Sequence, residues 1–411
     1  MSALSSEDPV AHGDPRRSIL LHLFRVALAS VDGRVCVREA LRAPTVPASE
    51  PKRVWAAAVG KAASAMMLGA HDALGARLER ALLITKDGHV SPDALAIPGI
   101  EVIESAHPMP DERSLAAGER LLDWVSQLPD DVEPLFLISG GASSLAEALV
   151  PGATLEQLTQ LNARGLASGL AIGELNAQRA QLSRIKGGRL AAQIAGRRAR
   201  ALFISDVPGH DPAVIGSGLM GPSGMPNDLI ERQIVASIDQ AADVALAEAR
   251  RLGLEAFRHP EAFDGPAERL AVRFAHELHM NVHQVRIWGG ESVVTLPENP
   301  GRGGRNQHLA LAAARVIAGQ DNLMLLVGAT DGTDGVTQDA GALVDGDTCS
   351  RVALAELDVQ QCLESADSGT ALAAAGDLIH TGPTGTNVGD LIIGLKLTKA
   401  AAAEIWNRRS R

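Results

Sequence analysis

At 411 residues and 42.8 kDa the chain is too long for one ordinary core and short for three domains, so two are expected. Its 46% hydrophobic and 21% charged residues give the balance of a globular enzyme and exclude a disordered or fibrous chain. A formal charge of −11, 2% aromatic residues and no tyrosine argue against nucleic-acid binding, and no apolar run reaches the roughly 18 residues that membrane spanning needs.

The polar start, MSALSSEDPVAHGDPRR, lacks the apolar core of a secretory signal and reads as a flexible tail over 1–16. Ile19, Leu20, Leu23, Phe24 and Ala27 recur at helical spacing, which predicts a helix near 17–31. Short apolar runs follow at 54–59, 81–85, 102–105, 135–139 and 201–205, separated by helical stretches around 61–79, 111–127 and 154–169. Continuous apolar runs of that length suit parallel strands covered on both faces. Thr154 with Gln157 makes a capping box for the last helix. The alternation predicts an α/β fold whose first domain, 17–253, is doubly wound and Rossmann-like. After a Gly/Pro-dense stretch at 207–226, a helix is expected from Asn227 with Ile230, Ile234 and Ile238 as its stripe, ending near Gly253. Polar sequence at 255–268 reads as a connection, and the domain change falls between 245 and 285. A smaller α/β domain, 254–411, then opens on an expected hairpin, 285–288 with 292–296. A helix from about 305 and a strand at 323–327 follow. Three cysteines without metal-ligand spacing, Cys36, Cys349 and Cys362, fit a reduced, cytoplasmic location.

Chemistry-bearing residues cluster in small-residue loops. Gly60-Lys61 stands where the first strand gives way to a helix, so a close backbone turn, a helix N-terminus and a mobile cation would favour a phosphate or carboxylate. The P-loop pattern is not met, because position 55 is Trp and position 62 is Ala. Ser139-Gly140-Gly141-Ala142-Ser143-Ser144 permits close approach of an anion or ribose, but Leu145 breaks the nucleophile-elbow pattern. Gly216, Gly218 and Gly221 satisfy GxGxxG literally, yet prolines at 208, 212, 222 and 226 surround them, so a loop explains them better than a dinucleotide turn. Lys186 and Arg189 flank a Gly pair and are read either as surface charge or as an anion site. Asp206 ends a strand, where a carboxylate holds Mg²⁺, accepts a hydroxyl proton or caps a helix. Arg302 and Arg305, on a glycine loop ahead of a helix with Asn306, have the make-up of a polyphosphate clamp. Asp331 and Asp334 supply two carboxylates beside Thr330, and Thr384 and Asn387 add a hydroxyl and an amide on a turn.

The blocks VGKAA, AHPMPDE, SGGASSL, LSRIKGGRLA, SDVPG, GGESVVTL, GRGGRNQ, ATDGTDG and GPTGTNV recur in this order in the glycerate 2-kinase family, which the chain resembles over nearly its whole length beyond the tail. The resemblance implies a Rossmann-like domain followed by a MOFRL domain, an active site in a cleft between the two, and transfer of the γ-phosphoryl of ATP to the 2-hydroxyl of D-glycerate. It implies that Lys61 is the active-site lysine and that Arg302 or Arg305 is the active-site arginine. On this basis the catalytic set is Lys61, Arg305, Arg302 and Asp206. Ser139, Gly140, Gly141, Ser143, Lys186, Arg189 and Asn306 would contact the acceptor. Gly60, Gly290, Glu291, Thr330, Thr384 and Asn387 would contact the nucleotide, and Asp206, Asp331 and Asp334 would serve Mg²⁺. The expected cofactors are ATP and Mg²⁺, with no nucleic acid or membrane partner and a homodimer left open. Three positions depart from the family pattern: His308 stands for Glu, His210 for an acidic residue and Gly389 for Asn. They leave a changed hydroxy-acid acceptor as one alternative. An NAD(P)H-dependent hydroxypyruvate reductase, or a non-catalytic binding protein, are the others.

Overall fold

The computed structural model describes residues 13–43, 53–168, 172–280 and 282–409, so most of the expected tail lies outside them. Packing separates the chain into two units. One comprises Val31–Ser237 with Gly385–Val388, and the other Ile238–Thr384 and Gly389–Arg411 with the chain up to Ser30.

In the first unit, β1 (Arg53–Val59), β2 (Leu78–Lys86), β3 (Ile100–Ser105), β4 (Val132–Ile138), β5 (Ala199–Ser205) and β6 (Ile230–Ser237) form one sheet in the order β3-β2-β1-β4-β5-β6. Every neighbouring pair is parallel. This is the doubly wound order, and it reverses between β1 and β4. Residues 54–59 of β1 are buried, as covering of both sheet faces requires. Aromatics are few, and three of them sit together: Trp55, Trp124 and Phe136 have ring centroids 5.9 and 6.0 Å apart. Burying each such side chain is worth about 1.5–3 kcal/mol. The box at Thr154 forms, with Gln157 N donating to Thr154 Oγ1 at 3.2 Å and Thr154 N to Gln157 Oε1 at 2.9 Å.

The stretch expected as one helix from Asn227 is instead strand β6 followed by a helix, Ile238–Arg251. The i, i+4 spacing of its isoleucines suits either state. β6 is an edge strand with only β5 beside it, so its exposed Glu231 and half-buried Arg232 and Gln233 are tolerated there. Pairing to β5 overrides the local pattern.

In the second unit, β7 (Ala256–Arg258), β8 (Val285–Gly290), β9 (Leu323–Ala329), β10 (Gly341–Asp345), β11 (Leu378–Ile379) and β12 (Asp390–Lys396) pair in the order β11-β10-β9-β12-β8-β7. All pairs are antiparallel except β7 with β8. The expected hairpin is corrected here. Both edges of β8 are occupied, by β12 and β7, so 292–296 does not fold back on it; Val293 instead makes an isolated parallel bridge to Pro266, and Val293 and Leu296 are exposed. The 255–268 connection contains β7. The first helix, Pro15–Ser30, packs in this unit through Ile19, Leu20, Leu23, Phe24 and Ala27, and Arg17 is bonded to Asp345 and Asp377 at 2.9 and 2.6 Å. Among the described residues no helix is long and apolar enough to cross a membrane.

Candidate active site

The carboxyl edge of the parallel sheet gathers the first group of predicted residues where the strand order reverses. Gly60 leaves β1 at φ +134°, a backbone state that side chains avoid, and a Cβ there would overlap Ser139. The turns after β1 and β4 are laced together: Lys61 N donates to the Gly140 carbonyl at 3.0 Å, and Ala62 N to Ser139 Oγ at 3.1 Å. No side chain caps the helix Ala63–Leu74 that follows. Around the glycine pair the side chains converge. A Cβ at 140 would overlap both Asn387 Nδ2 and Asp206 Oδ2, and one at 141 would stand 3.1 Å from Lys61 Cγ and from His107 Cδ2. Asn387, carried into this unit by the segment Gly385–Val388, donates from Nδ2 to Asp206 Oδ2 at 3.4 Å. Gly60, Lys61, Ser139, Gly140, Gly141, Asp206 and Asn387 therefore share one neighbourhood, and Ser143 lies two residues along the same turn. His107 was not singled out by sequence reasoning; its place in the AHPMPDE block was the available signal.

Lys186 behaves differently from either sequence reading, whereas Arg189 is exposed, as the surface-charge reading expects. Lys186 is 1% exposed and donates from Nζ to Glu147 Oε2 at 2.6 Å, with Glu147 fully buried. Burial lowers the lysine pKa, and the Glu147 charge acts against that shift. Arg189 donates to the Ser183 carbonyl. Both side chains are thus engaged within the protein. The literal GxGxxG lies in a loop rather than between a strand and a helix, and Gly216, Ser217 and Gly218 all have positive φ.

The second unit gathers the other group, where β8 and β9 end and β12 begins, at the N-terminus of the helix Arg305–Val316. Arg305 grips Asp390 through Nε and Nη2 at 2.7 and 3.1 Å, and Nη2 also reaches Glu291 at 2.8 Å. Burial would lower its pKa, but Asp390 and Glu291 outweigh this and raise it well above the usual value. Nη1 is not used by these bonds. Asn306 Nδ2 bridges Asp390 and Asp334 at 3.0 and 3.3 Å. Gly290 is paired with Asp390 across the sheet, Thr330 donates to the Gly389 carbonyl at 2.6 Å, and Thr384 donates to the Thr330 carbonyl. Asp331 Oδ1 accepts from Thr333 N and Oγ1 at 2.9 and 3.2 Å. Arg302 stands apart from its neighbour: its guanidinium binds Asp339 at 2.9 Å, and Asp339 also holds His380 at 2.7 Å.

Asp334 caps the helix by accepting from Asn306 N and Gln307 N at 3.1 and 2.8 Å. Burial pushes its carboxyl up to about 7 despite those bonds. A raised folded-state value gives stability that is complete below the ordinary value near 3.8 and lost as pH rises through about 7. Urea unfolding at pH 5 and pH 8 should show wild-type stability falling over this window, and Asp334→Asn should flatten the fall. An unchanged pH slope in the variant would contradict this titration.

Two of the three departures lie at positive φ, which permits them without requiring them. Gly389 has φ +98° and His210 φ +53°, a region in which glycine, asparagine, aspartate and histidine are the tolerated residues. His210 Nδ1 lies 2.9 Å from Ser205 Oγ. His308 is 4% exposed with Nε2 3.3 Å from Glu268, so it and His210 occupy different units.

Comparison with known proteins matches residues 19–245 to the family described as Domain of unknown function (DUF4147) and residues 284–390 to the MOFRL family. A Thermotoga maritima protein named D-glycerate 2-kinase is 36% identical over 85% of this chain and 92% of its own. The chain belongs to the glycerate 2-kinase family. The crystal structure of a Thermotoga maritima glycerate kinase superposes with a TM-score of 0.78 at 33% identity, covering 92% of this chain and 99% of that one. An Agrobacterium vitis family member, 34% identical over 91% of this chain and 93% of its own, carries a hydroxypyruvate reductase name instead.

Proposed function

We propose that this family member transfers the γ-phosphoryl group of ATP to the 2-hydroxyl of D-glycerate, giving 2-phospho-D-glycerate and ADP. The observation that carries the reading is the gathering of Lys61, Asp206 and Asn387 over the Gly140-Gly141 backbone, where the strand order reverses. Phosphoryl transfer needs positioning and charge stabilisation more than covalent chemistry. In the proposed step the 2-hydroxyl oxygen forms a bond to the γ-phosphorus as the bond to the bridging oxygen of ADP breaks. The hydroxyl proton passes to Asp206. Lys61 neutralises the phosphoryl oxygens, and in its own unit Arg305, held in orientation by Asp390 and Glu291, is a second cation suited to phosphate. Arg302, bonded to Asp339, is left with a supporting role in its loop.

Mg²⁺ belongs to this proposal. Among the described residues no group of three or more His, Cys, Asp or Glu could hold a metal ion, but Mg²⁺ at nucleotide sites commonly needs one or two carboxylates besides the phosphates. Asp331, oriented by Thr333 at the end of β9, fits that need better than Asp334, whose two oxygens cap a helix. The ion would offset charge on the nucleotide phosphates. Cys36, Cys349 and Cys362, none of them in a disulfide, support a reducing, cytoplasmic setting.

The reading is tested by following ADP release with D-glycerate and, separately, nicotinamide absorbance with hydroxypyruvate. ADP release that depends on D-glycerate, with no nicotinamide oxidation, is expected. Hydroxypyruvate-dependent oxidation of NAD(P)H without ATP would replace the kinase reading with the reductase one.

A further inference from the structure

Lys186, paired to Glu147, is committed within the protein and supplies no charge for the acceptor. A different group lies beside the SGGASSL turn. Ser143 Oγ and Ser217 Oγ are 2.7 Å apart, Ser217 Oγ donates to Asn176 Oδ1 at 2.9 Å, and Arg179 Nη1 donates to the same oxygen at 3.2 Å. Because the Ser217 hydrogen is committed to Asn176, Ser143 must donate to Ser217, which leaves the Ser143 lone pairs as acceptors. The amide is fixed by two donors on its oxygen, so its nitrogen is oriented as well. Asn176 is 9% exposed, and its Nδ2 has no hydrogen-bond partner. A buried N–H₂ donor left unmatched costs about 1–3 kcal/mol; of the ten such buried side-chain atoms among the described residues, Asn176 Nδ2 is the one tied through Ser217 to the SGGASSL turn. Ser217 is held at φ +57°, a left-handed state uncommon for serine, as the last link to Asn176.

We propose that Asn176 Nδ2 and the Arg179 guanidinium form the subsite for the carboxylate of the acceptor, with Ser143 Oγ accepting from a hydroxyl on the adjacent carbon. The ligand class is a small 2-hydroxy carboxylate, read at both functional groups. A planar guanidinium beside an amide N–H₂ offers donors only, which suits a carboxylate and discriminates against a neutral amide or alcohol. The inference deepens the kinase reading and rests on it for the identity of the acceptor.

The discriminating variant is Asn176→Asp, which keeps an oxygen for Ser217 and Arg179 but replaces the unmatched donor with a second acceptor. Calorimetric titration without nucleotide, using D-glycerate, D-lactate and neutral glyceramide, reads the subsite independently of phosphoryl transfer. Both carboxylates should bind at least about tenfold more weakly to Asn176→Asp, with glyceramide changing by less than about twofold. Arg179→Gln should repeat the pattern, and circular dichroism of both variants should match wild type. Carboxylate affinities within twofold of wild type in both variants, or no hydroxy-acid binding by wild type, overturn the proposal. Wild type that binds D-glycerate but never phosphorylates it would instead overturn the kinase reading and leave the subsite standing.

Discussion

Replacing Lys61 by alanine should lower the rate of phosphoryl transfer by about 10²–10³ or more, the scale seen when one preorganised charge-stabilising group is removed. The expectation rests on position. The Lys61 stem lies against Gly141, within the neighbourhood of Asp206 and Asn387, at the edge where open α/β sheets bind their ligands. The fold should survive. The turn is fixed by the backbone of residue 61 donating to Gly140 and by Ala62 donating to Ser139, and neither bond needs the amine. Chemical denaturation should therefore place the variant within about 0.5 kcal/mol of wild type, as for a surface change away from the core. Turnover near the wild-type rate would remove Lys61 from the reaction.

The second large effect concerns stability. Lys186→Met should cost about 3–5 kcal/mol, because it leaves Glu147 charged and unpaired where no solvent reaches it. Adding Glu147→Gln should restore much of the loss, since the uncompensated charge is removed while Oε1 can still accept from Ala148 N, now at 2.9 Å. Urea unfolding of the two single variants and the double variant measures the coupling directly. Whatever folded Lys186→Met survives should bind D-glycerate with near wild-type affinity. A specific loss of glycerate binding with intact stability would return Lys186 to the acceptor.

The parallel half of the fold was readable because its strands are continuous apolar runs broken by glycine turns, a pattern with one simple explanation. The edge strand β6 and the missing hairpin were not. Ile230 and Ile234 carry a helical spacing, and 292–296 alternates like a strand. What decides each is which sheet edge is open, a tertiary fact absent from local sequence. At the site, glycine-rich turns marked the places where backbone must pass closely, so Gly60, Lys61, Gly140 and Asp206 could be found. The roles of charged residues were harder to read. Lys186 and Arg302 look like anion binders in sequence, but their partners, Glu147 and Asp339, stand 39 and 37 residues away. Asn176 and Arg179 carried no motif and Ser217 only the discounted GxGxxG, because their meaning arises from a hydrogen-bond chain that only folding assembles.

The most direct measurement is proton-coupled phosphorus NMR of the product formed from ATP and D-glycerate. Transfer to the 2-hydroxyl places the new phosphorus beside a single carbon-bound hydrogen, so a doublet should grow as the γ-phosphate resonance of ATP declines. A triplet would assign transfer to the terminal hydroxyl. ATP left intact with D-glycerate, while a different small acid is phosphorylated or none is, would contradict glycerate as the acceptor.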